Sequence, residues 1–434
     1  MKRLSDYYSQ PSNKVVGSID YGFISRIPSG IRSCDAAKVS HHPQSASRTR
    51  MNRTINFSSL WGEWHWRRTY KRVYAEQQGM WLTPCELFTP YYSNILANFV
   101  CNSMKTSLNN LEELQVDSGG TFEIVELGGG RGTNANALLN YMKENHREMY
   151  DRLDSYTIYD TSPTLHELQR EVLISINDEV RVHAHKIKLV NVDLMNIAEG
   201  SSPFLTQSNI PTAVIALELL DNLPHDKIGR CIESRNILQA EALSGPTTMN
   251  SLKLKICESF VPLEDKLLHD ILSMAPALYA PLVSQGPKWV PTVALGVLLA
   301  LFDCRPNSSV VFADFDWLPP PDASLGPALA EPAEGDPLIT DMTGKDHSCY
   351  LTSPPDALCD ILFPTDFGRL AAFVGQITAK SQCQIPVSVL SMKQNEFLLK
   401  YGKSEVERTR SWLTGYSPLI HDFANCSVLE VSPQ

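Results

Sequence analysis

The 434 residues are 43% hydrophobic and 20% charged, with a formal net charge of −10. That apolar content is enough for a substantial core in one large domain or two, and it excludes a disordered chain. The acidic balance argues against nucleic acid as a partner, because a phosphate backbone is met by a basic surplus.

Residues 1–60 differ from the rest: nine Lys or Arg stand against three acids (Asp6, Asp20, Asp35), and no glutamate precedes Glu63. Such a basic, Ser-rich, acid-poor leader reads as an organellar import sequence, with an untargeted tail as the alternative. Pro11, Pro28 and Pro43 interrupt a continuous amphipathic helix there. Residues 61–118 read as an N-terminal helical and lid region. Trp61 to Gln78 is dense in aromatic and basic residues, as for a helix that turns its Trp faces inward and solvates its arginines. In Tyr91 to Leu114, Ile95, Leu96, Phe99 and Met104 fall at helical spacing.

Residues 119–315 read as a Rossmann-like α/β core. Phe122 to Leu127 predicts a buried strand that runs straight into Gly128-Gly129-Gly130-Arg131-Gly132-Thr133, and Leu138, Leu139 and Met142 give the following helix one apolar face. Glycines between a strand and a helix N-terminus let the backbone approach a ligand closely. A dinucleotide fingerprint needs a third glycine where Thr133 stands, and a P-loop needs a following Gly-Lys-Ser/Thr that is missing. Glu126 with Gly128, Gly130 and Gly132 instead resembles the first motif of S-adenosylmethionine methyltransferases, which cradles the methionine part of that cofactor. Ser155 to Asp160 predicts the next strand. Asp160 at its end suits the two ribose hydroxyls, and Ser162-Pro163 caps the helix that follows. Ile187 to Val192 predicts a third strand leading to Asp193, a candidate against the adenine ring. His183 and His185 precede it without further ligands, so no metal site is expected.

Thr212 to Leu217 is apolar throughout, as for a central parallel strand, and Glu218-Leu219-Leu220-Asp221-Asn222-Leu223-Pro224-His225-Asp226 follows at the ligand-binding edge. Two carboxylates there, Glu218 and Asp221, suit a guanidinium nucleophile, which they can hold by charge-assisted hydrogen bonds. They are the candidate catalytic pair, with helix-capping acids as the alternative. The most apolar run, Val293 to Phe302, is far shorter than the ~20 residues a membrane span takes, so no transmembrane helix is expected. Ser309 to Phe315 predicts a fifth strand with Asp314 at its carboxyl end. Residues 316–358 read as a Pro-rich insertion, and residues 359–434 as the completion of the sheet, with Val387 to Met392 and Asn395 to Tyr401 as an antiparallel pair. Ten cysteines scatter singly without a CxxC pair, which supports neither a zinc site nor a disulfide framework.

The ordered set ELGGGRGT, YDTSP, LELLDNLPHD and FADFD resembles the MidA-like family of mitochondrial complex I assembly methyltransferases. Gly79 to Glu86 is similar to that family's lid segment, which makes Glu86 a substrate or lid residue. Thr365-Asp366-Phe367 and Lys393 to Leu398 resemble its terminal elements. Gly129 replaces a family proline, Leu219-Leu220 replace two phenylalanines, and Met80 replaces an aspartate. The resemblance implies an S-adenosylmethionine-dependent protein arginine methyltransferase that makes symmetric dimethylarginine on a matrix-side subunit of complex I, in the mitochondrial matrix. A catalytically silent assembly scaffold, or a methyltransferase for another acceptor, stays open beside it.

Overall fold

The computed structural model of the protein describes residues 57–68, 83–176, 179–231, 233–245, 255–279, 286–319, 335–341, 346–347, 359–381 and 384–434. The leader up to residue 56, Gly79 to Leu82 of the lid segment, and residues 320–334 of the Pro-rich insertion lie outside these. Phe57 and Leu60, assigned to the leader by composition, are buried in the core. Residues 63–68 are helical. Trp66 is 4% exposed but Trp61 and Trp64 are 53% and 57% exposed, so the aromatic stretch turns only one of its three Trp side chains inward.

Pro84–Leu87 (α1) opens on Thr83, whose hydroxyl accepts from the Glu86 N–H. Tyr91–Glu113 (α2) follows and buries Ile95, Leu96, Phe99 and Met104, as their spacing predicts. The chain then alternates strand and helix: Phe122–Leu127 (β1), Thr133–Asn145 (α3), Leu153–Asp160 (β2), Pro163–Leu173 (α4), Ile187–Asn191 (β3), Leu194–Ala198 (α5) and Thr212–Leu217 (β4). Ser162 caps α4 by accepting from the Leu165 N–H, with Pro163 at its first turn. A second, antiparallel sheet comes next, made of Asp226–Arg230 (β5), Ile237–Gly245 (β6), Lys255–Pro262 (β7) and Lys288–Val290 (β8) in the order β8-β5-β6-β7. Sequence reading assigned no elements to this stretch. Thr292–Cys304 (α6) takes up the most apolar run as a core helix and leads into Ser308–Phe315 (β9). No helix among the described residues is long and apolar enough to cross a membrane.

Phe367–Lys380 (α7), Val387–Lys393 (β10), Gln394–Arg408 (α8) and Cys426–Pro433 (β11) complete the chain. Asn395 to Tyr401 is therefore helix, not the partner strand. The Glu396 carboxylate accepts from the Lys393 N–H at the helix start, and Phe397 and Leu398 are buried beneath α2. The antiparallel partner of β10 is β11, whose buried Val428, Leu429 and Val431 carry a strand pattern.

The main sheet runs β10-β11-β9-β4-β1-β2-β3. From β9 to β3 every neighbour is parallel, and β11 lies antiparallel to both β9 and β10. This is the mixed Rossmann-like sheet expected of a class I methyltransferase. Alternate residues of one strand serve two cores: Ile124 packs with Phe99, Leu138 and Tyr156 on one face, and Val125 packs with Leu298, Phe312 and Phe373 on the other. Each such side chain contributes roughly 1.5–3 kcal/mol on full burial. With both faces covered, the carboxyl ends of β1, β2, β4 and β9 are left as the edge at which chemistry gathers.

Candidate functional site

The glycine turn builds the first half. At the end of β1 the Gly128 N–H donates to the Tyr159 carbonyl (2.8 Å), so the turn starts pinned to β2. Gly128, Gly130 and Gly132 adopt φ of 69°, 51° and 81°. Gly132 caps α3, and a Cβ there would lie 2.9 Å from Leu173 Cδ1. Gly130 differs, because a Cβ there would meet nothing within 4 Å. One glycine is required by packing; the other leaves an open backbone face for a ligand.

Glu126 is buried beneath this turn, where its carboxylate accepts from Asn134 Nδ2 (2.8 Å) and Tyr156 Oη (2.9 Å). Burial pushes its pKa up, and the two donors oppose the shift. Both oxygens thus carry protein partners, so Glu126 ties β1 and β2 to the first turn of α3. Asp160 ends β2 as expected. Its Oδ1 accepts from the Ser162 N–H (2.9 Å) and its Oδ2 from Gln169 Nε2 (3.2 Å). Gln169 Nε2 also donates to the Gly130 carbonyl (2.8 Å), so one amide joins the glycine turn to the acid. Burial raises the Asp160 pKa too. Asp193 caps α5 by accepting from the Met195 N–H (2.9 Å), and the neighbouring Val192 N–H donates to the Asp160 carbonyl (3.0 Å). It stands one strand from Asp160, doing the work of a helix cap.

These groups fit the cofactor that the motif suggests. A carboxylate has about four acceptor sites, so Asp160 keeps room for two ribose hydroxyls. Asn134 Oδ1 and Gln169 Oε1 are buried without a hydrogen-bond partner, as acceptors for a ligand that brings N–H and O–H donors.

The second half gathers at the ends of β4 and β9. Glu218 follows β4 with φ 51°, a left-handed backbone that costs a non-glycine residue about 1 kcal/mol or more. Its N–H donates to the Ala313 carbonyl (2.9 Å), and its carboxylate accepts from the Cys85 N–H. Burial pushes the Glu218 pKa well above its ordinary value, reinforced by the charges of Asp314 and Glu86. Asp221 lies in the turn Leu220–Asn222, 2% exposed, with Oδ1 accepting from Asn222 Nδ2 (2.7 Å). Its pKa is likewise raised by burial, then by Asp314 and Glu218. Glu86 on α1 reaches the same place: burial raises its pKa, and Arg131 of the glycine turn opposes the rise. Arg131 therefore bridges the two halves electrostatically, and Leu219 bridges them sterically, 3.0 Å from where a Gly128 Cβ would be.

The sequence reading named Glu86, Glu218 and Asp221 separately, and the fold brings them together. It placed Asp314 at the end of the fifth strand without giving it a role; its carboxylate is 1% exposed, with its pKa pushed up to about 6 by burial. An acid at the end of an apolar strand, the signal that singled out Asp160, was present there as well. Gln169 gave no sequence signal, because its two bonds join elements distant in the chain. His225 was also missed. Its Nδ1–H donates to the Leu223 carbonyl (2.8 Å), its ring stacks on Phe363 at 4.2 Å, and burial lowers its pKa to about 4. Buried His183 is engaged by Tyr150 Oη (2.8 Å) and Asn140 Oδ1 (3.0 Å).

A family model described as an S-adenosyl-L-methionine-dependent methyltransferase matches residues 103–386, well over half of the chain. No curated protein sequence matches it. Among solved structures, a Burkholderia thailandensis protein bound to S-adenosyl-homocysteine aligns with a TM-score of 0.53 and 15% identity, over 82% of this chain and 80% of that one. A native structure of an uncharacterized protein from the same organism aligns with a TM-score of 0.50 and 15% identity, over 84% and 90% of the two chains. At that identity the likeness concerns the fold.

Proposed function

The chain belongs to this family of S-adenosyl-L-methionine-dependent methyltransferases, takes S-adenosylmethionine as its cofactor, and, we propose, delivers the methyl group to an arginine side chain of a protein. The observation that carries the acceptor is the acid cluster. Glu86, Glu218 and Asp221 converge on one edge, and the charges acting on Glu218 and Asp221 are those of other carboxylates. Acids that raise one another's pKa favour a cation among them, and an entering guanidinium supplies one to Glu218 and Asp221 while returning them toward the ionised form.

The open face of Gly130, the Asp160 carboxylate and the Gln169 amide would hold the cofactor, which supplies an electrophilic methyl group on sulfur. Glu218 and Asp221 hold the guanidinium by charge-assisted hydrogen bonds and orient one nitrogen toward the methyl carbon. The nitrogen forms the new bond to carbon as the carbon–sulfur bond breaks toward sulfur, and it sheds one proton to Glu218. The neighbouring charges of Asp314 and Glu86 favour proton uptake by that carboxylate.

The motif resemblance extends the proposal to symmetric dimethylarginine on a matrix-side complex I subunit. The basic, acid-poor residues 1–60 support import into the mitochondrion. The test is to incubate the purified chain with methyl-labelled cofactor and matrix-side complex I subunits, then hydrolyse the protein and identify labelled amino acids. Labelled symmetric dimethylarginine is expected. Label confined to other residues or to small molecules would replace the arginine reading, and no label despite cofactor binding would favour a scaffold.

A further inference from the structure

The turn that carries the acceptor-binding acids has an anchor of its own. Asp314 closes β9, the parallel neighbour of β4, in register with the point where β4 ends: Ala313 pairs with Leu217. Its Oδ2 accepts from the Asp221 N–H (3.1 Å) and its Oδ1 from the Phe315 N–H (2.7 Å). The amides of Leu219 and Leu220 also donate to this carboxylate. Four consecutive residues after β4 are thereby tied to β9, three through Asp314 and Glu218 through the Ala313 carbonyl. From the other side, the Phe363 N–H donates to the Asp221 carbonyl (3.0 Å) and the Thr365 N–H to the Phe315 carbonyl (2.9 Å).

We propose that Asp314 is a positioning residue for methyl transfer: its buried carboxylate gathers the amides of the turn after β4 and so fixes Glu218 and Asp221 against the acceptor. This rests on the reading of those two acids as the acceptor site. An oxygen anion is the group that three converging N–H donors select. Without it, the turn loses its anchor and leaves the Ala313 carbonyl and the Cys85 N–H to hold Glu218 in its left-handed conformation. The titratable groups facing Asp314 are Glu218 and Asp221 on the turn, Tyr92 on α2 and Cys426 on β11. Each has its proton held more tightly because of the Asp314 charge.

Asp314→Asn replaces one acceptor oxygen by an N–H donor that faces other donors, at nearly constant volume. The full-length variant is expected to lose at least about tenfold in methyl-transfer rate while its dissociation constant for S-adenosylmethionine changes by less than about threefold. The acidic limb of its pH–rate profile should move to lower pH, because Glu218 and Asp221 no longer feel the Asp314 charge. A purely structural role would leave that limb in place. Should the variant not fold, hydrogen exchange on the wild-type chain decides. Protection of the Leu219, Leu220 and Asp221 amides, corrected for intrinsic rates, should drop as pH falls from about 8 to about 5 and Asp314 is protonated. Unchanged protection, or a variant with wild-type rate and profile, overturns the inference. Glu218→Gln is the companion control. If it is inactive while Asp314→Asn is active, only this inference fails; if it keeps the wild-type rate, the acceptor-site reading beneath it fails.

Discussion

Glu126 and Asp160, under and beside the glycine turn, are met by the neutral donors Asn134, Tyr156, Gln169 and the Ser162 N–H. Across β4, the carboxylates of Glu218, Asp221 and Asp314 are met by main-chain amides, by the Asn222 side-chain amide at Asp221, and by each other's charge. Both groups are buried, and burial raises every one of these pKa values. In the first set, fixed neutral dipoles complete the structure and leave a shaped surface for a neutral nucleoside. In the second set, like charges oppose one another, a cost repaid when a cation enters. The difference separates a half that recognises shape and hydrogen bonds from a half that recognises charge.

The sharpest way to break this comparison is at Glu218. Glu218→Gln should reduce methyl transfer by at least ~100-fold and leave cofactor affinity within about threefold, by labelled-methyl incorporation and calorimetry. A parallel loss of cofactor binding would show that the two halves are not separate. The complementary variant is Gly130→Ala, which should weaken cofactor binding at least ~tenfold, while its left-handed φ of 51° costs the fold about 1 kcal/mol. Gly132→Ala, which meets Leu173 at 2.9 Å, should instead destabilise the fold by about 1–3 kcal/mol. Gln169→Leu removes the bridge between Gly130 and Asp160 and should cost about fivefold in cofactor affinity by the same calorimetry.

The smallest effect belongs to His183, away from both halves. Its pKa is lowered from 6.5 to about 4, mainly by burial. A depressed folded-state pKa gives stability that is present above 6.5 and is lost as pH falls toward 4, since the unfolded chain takes up the proton first. Urea melts at about pH 7 and about pH 5 should therefore differ less in His183→Gln than in the wild type. An equal difference in both would move the acid sensitivity elsewhere.

The parallel strands were legible because each is a short apolar run ending in an acid or a glycine, and β4 falls on the expected bounds, Thr212–Leu217. The cofactor half was legible for the same reason, as strand, turn and acid follow one another closely in the chain. What was hidden depends on long-range pairing. Val387–Lys393 has a strand pattern, but nothing local says that its partner is Cys426–Pro433 rather than the nearer Asn395 to Tyr401, where aromatic and apolar residues serve a helix face against α2. The β5–β8 sheet was missed because its segments end without chemistry and its edge strand β8 pairs with β5 far back in the chain. Asp314 shows the same limit at the site, since its role depends on β9 lying beside β4.

The position of β11 bears on how the protein is made. Cys426–Pro433 pairs with both neighbours inside the main sheet, yet it leaves the ribosome after both of them. Until it does, the edge of β9, with Val310, Val311 and Phe312, has no partner on that side, and an open apolar edge invites pairing with other chains. A message truncated anywhere before residue 426 would thus yield an aggregation-prone product even with every cofactor and acceptor residue present.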